Sequence, residues 1–118
     1  MALTAELERD GDRLLVNLAN TGDAPLTFSA SAMAGTPAFE VVDADGGPVP
    51  LGPPPTPPAD LREGLVTLQP GEALCLVQDL MALLPGGPDG ARRVRFAGTA
   101  PPLPGVWSGK VLSPWIEV

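Results

Sequence analysis

A chain of 118 residues with 44% hydrophobic side chains can bury one core without metals or disulfide staples, so a single domain over residues 1–118 is expected. It has no histidine and one cysteine, which leaves the usual catalytic triads, Cys–His pairs and zinc sites without bases or ligands; neither an enzyme nor a cofactor is expected. The net charge of −7 is concentrated in residues 1–60, where nine carboxylates stand against two arginines, and such a field speaks against nucleic acid or an anionic membrane as partner.

Short alternating apolar runs broken by 16 prolines, 14 glycines and many aspartates set an all-β rhythm. Leu3, Ala5 and Leu7 alternate with Thr4, Glu6 and Glu8, and Leu14, Val16 and Leu18 repeat the pattern after Asp10-Gly11-Asp12. That turn between two period-two runs predicts an antiparallel hairpin. Asn20-Thr21-Gly22-Asp23 predicts a turn, residues 25–31 a third strand, and Phe39-Glu40-Val41-Val42 a fourth. Asp43 to Gly47 reads as a tight turn into a short segment whose Pro48 and Pro50 confine it to a sheet edge.

Gly52 to Ala59 is proline-dominated and extended. Residues 64–68 and 73–79, joined through Gln69-Pro70-Gly71-Glu72, read as the next hairpin-like pair. Leu74 and Leu76 around Cys75 suggest burial on both sides, with Cys75 itself a buried small hydrophobe that can form no intrachain disulfide. Asp79 is placed as N-cap of the one helical turn expected, over residues 79–84. Strands follow at 92–96, 106–112 and 115–118, around a second Pro-rich loop at 98–104. Some seven or eight short antiparallel strands, spaced by turn signals, predict an Ig-like Greek-key β-sandwich.

The carboxylates Asp10, Asp12, Asp43 and Asp45 sit in turn contexts, where they serve the backbone rather than paired acid–base chemistry. Asp43-Ala44-Asp45-Gly46 opens like a calcium loop, but later ligand positions fall on Gly47 and Pro54. Trp107 and Trp115 are read as core residues or interface anchors, and Arg92, Arg93 and Arg95 as a solvated strand face. Pro53, Pro54, Pro55, Thr56, Pro57 and Pro58 hold two PxxP registers without a flanking cation to orient a groove. Together with Pro101, Pro102 and Pro104 they are the candidate partner-contact residues. The N-terminus lacks a basic and apolar leader, and no apolar run approaches the ~20 residues that span a bilayer, so the expectation is a cytoplasmic protein.

Three stretches, Asn17 to Leu26, Phe39 to Val49 and Val66 to Glu72, resemble in their order the intracellular proteinase inhibitor family, an Ig-like β-sandwich. Continued through Asp79-Leu80, the same order is similar to the non-catalytic β-sandwich region that precedes deuterolysin-type and peptidyl-Lys metallopeptidase domains. The chain departs from both in lacking the later-strand tyrosine and in its Pro53–Pro58 loop. The resemblance implies a non-enzymatic module that binds a protein, a protease in its sharper form. The alternative is a structural or self-assembling subunit, and the sequence leaves the oligomeric state open.

Overall fold

The computed structural model describes residues 3–34, 38–52 and 61–118. The chain is mostly β. In order it forms β1 (Leu3–Asp10), β2 (Arg13–Asn20), β3 (Leu26–Ser29), α1 (Ala30–Ala34), β4 (Phe39–Val42), β5 (Leu65–Leu68), β6 (Ala73–Asp79), α2 (Leu80–Leu83), β7 (Arg93–Ala100), β8 (Gly109–Leu112) and β9 (Ile116–Glu117). Short 3₁₀ turns occupy Leu61–Gly64 and Pro88–Gly90. All strand pairings are antiparallel: β1-β2-β6, β3-β5, and β4-β7-β8 with β9 also on β7.

The first hairpin forms as its sequence directs. Asp10 pairs with Arg13, and Gly11 takes φ +60°, the left-handed backbone that a two-residue turn needs. Alternation then buries Leu3, Ala5 and Leu7 with Leu14, Val16 and Leu18, while Thr4, Glu6 and Glu8 face solvent. These inward rows join Phe28, Phe39, Val41, Val94, Phe96 and Val111 in one hydrophobic cluster. Phe39 and Phe96 meet edge to face at 5.6 Å between ring centroids.

The 64–79 stretch is not a hairpin. β5 pairs with β3, whereas β6 pairs with β2, so the Gln69–Glu72 turn carries the chain between sheets. The buried side chain of Asn20 fixes that crossing. Its Nδ2 donates to the carbonyls of Ala24 and Leu68 at 2.9 Å each, and its Oδ1 accepts from the amide of Gly22. The Asn20 amide donates to the Glu72 carbonyl, which starts the β6 ladder. Cys75 is exposed rather than buried, and Leu74 and Leu76 are half-buried, because only one face of this sheet meets the core and Cys75 stands on the outer one, beside exposed Asn17 of β2.

A second helix also departs from expectation. α1 interrupts the run read as strand 25–31, since Ser29 Oγ accepts from the amide of Ala32 and caps a stretch rich in alanine, the best helix former. α2 begins as expected, with Asp79 accepting from the Met81 amide. Its last turn is closed by the Gly87 amide on the Leu84 carbonyl, with Gly87 at φ +85°.

β7 is the central strand of its sheet. β4 lies along one edge, and Pro48 and Val49 extend β4's flank through a bridge to Val42 and a bond from Val49 N to the Val41 carbonyl. Along the other edge, β8 and β9 are out of step by one residue. Arg95 and Phe96 of β7 stand opposite Ser113, Pro114 and Trp115, a β-bulge. Ser113 repairs the ladder there. Its amide donates to the Phe96 carbonyl, and its Oγ accepts from the Phe96 amide at 2.8 Å. The extra residue turns Ile116 toward the core and leaves Trp115 on the outer face, which corrects the reading of Trp115 as a core residue.

Candidate functional site

Among the candidate contact residues, Pro53 to Pro58 lie outside the described residues. Pro101, Pro102 and Pro104 lie in the β7–β8 connection. Proline fixes φ near −65°, so three such residues within four positions remove most of the freedom of that segment. Pro102 and Pro104 are exposed, whereas Pro101 and Leu103 are half-buried. A turn closes between them and the strand, with the Val106 amide on the Leu103 carbonyl at 3.1 Å and Gly105 at φ +73°.

Trp107 anchors the far side of this loop. Its amide donates to the Thr27 carbonyl of β3 at 2.8 Å, and its half-buried side chain packs against the core. Gly109 sits directly over the Trp107 ring at φ +148°; a Cβ there would lie 3.1 Å from the indole. A side chain on residue 109 would push the anchor away. The loop is therefore held by prolines along its length and by a tryptophan at its base, and displays Pro102, Pro104 and Gly105 to solvent.

Of the carboxylates singled out above, Asp43 serves the backbone of its own turn. Asp43 Oδ1 accepts from the amides of Asp45 and Gly47 at 2.9 Å each, and Asp10 makes an exposed 3.5 Å ion pair with Arg13. Among the described residues no group of three or more histidine, cysteine, aspartate or glutamate side chains is placed to hold a metal ion. No helix among them is long and apolar enough to cross a membrane.

The arginines form a ladder across the outer face of β4, β7 and β9. Arg95 Nε and Nη2 both reach Glu40 Oε2, at 2.9 and 2.6 Å, and its guanidinium lies 4.6 Å from the Trp115 ring centroid. Arg93 lies 5.8 Å from the same ring, and Lys110 Nζ is 4.0 Å from Glu40 Oε1. With these groups partly exposed, each contact is worth about 0.5–1 kcal/mol. The strand-face reading holds for Arg93 and Arg95, but the aromatic partner was not legible. Arg92, which precedes the strand, borders an open cleft together with Arg93, Asp43 and Glu117, where both signs of charge mix.

No protein-family model matches the chain, and no curated protein matches it in sequence.

Proposed function

We propose that this chain is a non-enzymatic protein-binding module with an Ig-like Greek-key sandwich architecture, and that its β7–β8 loop engages a protease. The pairing order supports the architecture: β1-β2-β6 and β4-β7-β8 each combine strands distant in sequence, with the chain alternating between the two sets. The observation that carries the function is the braced loop. An inhibitor must offer a cleft an extended segment that loses little freedom on binding, and prolines at 101, 102 and 104 above a Trp107 anchor meet that need before any contact is made.

The test is residual activity of serine, cysteine and metalloproteases incubated with excess protein. One class should lose activity, and replacing Pro101–Pro104 with a Gly-Ser stretch should restore it while circular dichroism stays unchanged. Full activity of every class at excess protein would defeat the proposal.

A further inference from the structure

We propose that the free edge of β6 pairs with β6 of a second copy of this chain, antiparallel about a twofold axis through Cys75. This contact is separate from the β7–β8 loop. β6 is the end strand of β1-β2-β6, and among the described residues no strand pairs with its other edge. The ladder fixes which of its groups are spare. The Asn20 amide bonds to Glu72, and the Leu80 amide to the Asp12 carbonyl, so residues 72, 74, 76, 78 and 80 turn their backbone toward β2. Ala73, Cys75 and Val77 therefore turn N–H and C=O outward.

Among the described residues, the usual protections of an edge are missing here. Residues 73–78 contain no lysine, proline or bulge, and no charge, whereas β8 carries Lys110 and the flank of β4 is occupied by Pro48 and Val49. Val77 is 59% exposed, with half-buried Leu15 beside it on β2. Such a strand is a template for pairing, and its composition selects the occupant.

With no charge from Ala73 to Gln78, that stretch of the edge offers a charged peptide nothing to read. It does match itself. Pairing about Cys75 sets Ala73 opposite Val77 and Leu74 opposite Leu76, so small and large apolar groups meet on the outer face and leucines on the inner. The only carboxylate of the strand, Asp79, falls opposite Gly71 at the far end. The acidic rows of β1 lie five strand spacings apart across the joined sheet, about 24 Å at 4.8 Å per strand. That exceeds the screening length of about 8 Å at physiological salt, so the net charge of −7 does not forbid the contact.

Sedimentation velocity at rising concentration tests this, with Val77→Lys and the rate of Cys75 alkylation by a maleimide as readouts. The expected results are a concentration-dependent dimer, its loss in Val77→Lys with circular dichroism unchanged, and slower alkylation of the wild-type thiol as the dimer forms. A copper–phenanthroline oxidant should then join the two Cys75 thiols, because hydrogen-bonded antiparallel partners place Cα atoms about 5.5 Å apart, within disulfide reach. A monomer into the hundreds of micromolar overturns the proposal. So does a dimer that survives Val77→Lys and leaves Cys75 reacting at the monomer rate. Should Val77→Lys not fold, Cys75 protection in the wild type decides alone.

Discussion

The hydroxyl of Ser113 stands where a strand carbonyl would otherwise complete the β7 ladder, and it is 4% exposed. Ser113→Ala would leave the Phe96 amide buried without an acceptor, a loss of about 1–3 kcal/mol. Urea unfolding should show it as a lower midpoint with an unchanged slope; an unchanged midpoint would mean that another group takes the proton. Gly98 is constrained by packing rather than by backbone angle. A Cβ there would collide with the Phe96 ring and Met33, so Gly98→Ala should cost about 1–3 kcal/mol through overpacking. Gly86 has nothing near it, and Gly86→Ala in the same assay should stay within about 0.5 kcal/mol.

Among the elements, β7 is paired on both edges and buries Val94 and Phe96, whereas β3 and β5 form a two-stranded pair of four residues each. Amide exchange should follow this, with Val94 and Phe96 slowest and β3 and β5 opening locally before the whole. Equal rates throughout would show that no part opens alone. The elements also mark how far the sequence could be read. The β1–β2 hairpin was legible because alternation and turn chemistry lie within twenty residues of each other. Pro70-Gly71 marked a reversal just as clearly, yet turn chemistry does not say which sheet the chain enters, and Asn20 decides that through contacts with residues 24, 68 and 72. Cys75 is exposed against expectation because an apolar run reads as two-sided burial, whereas here the outer face of the sheet is open even along Ala73, Cys75 and Val77. At the candidate site, the exposure of Pro102 and Pro104 followed from composition, but the Trp107 anchor depends on a bond to β3 some eighty residues earlier.

At the scale of the whole molecule, one hydrophobic cluster joins residues from β1 to β8. The pairings inside it have a kinetic consequence. Among the described strands, only β1 and β2 are neighbours across a two-residue turn; β2 must find β6 across 52 intervening residues, from 21 to 72, and β4 must find β7 across 50, from 43 to 92. Loops of that size must close before any contact rewards them, which slows folding relative to chains rich in local contacts. Refolding after dilution from urea should therefore take milliseconds to seconds and not microseconds, read by tryptophan fluorescence in stopped flow. A microsecond phase accounting for the full amplitude would contradict this. During that interval the uncharged stretch from Ala73 to Gln78 has neither β2 nor a sister strand to cover it, so the yield of refolding should fall as the chains are crowded together.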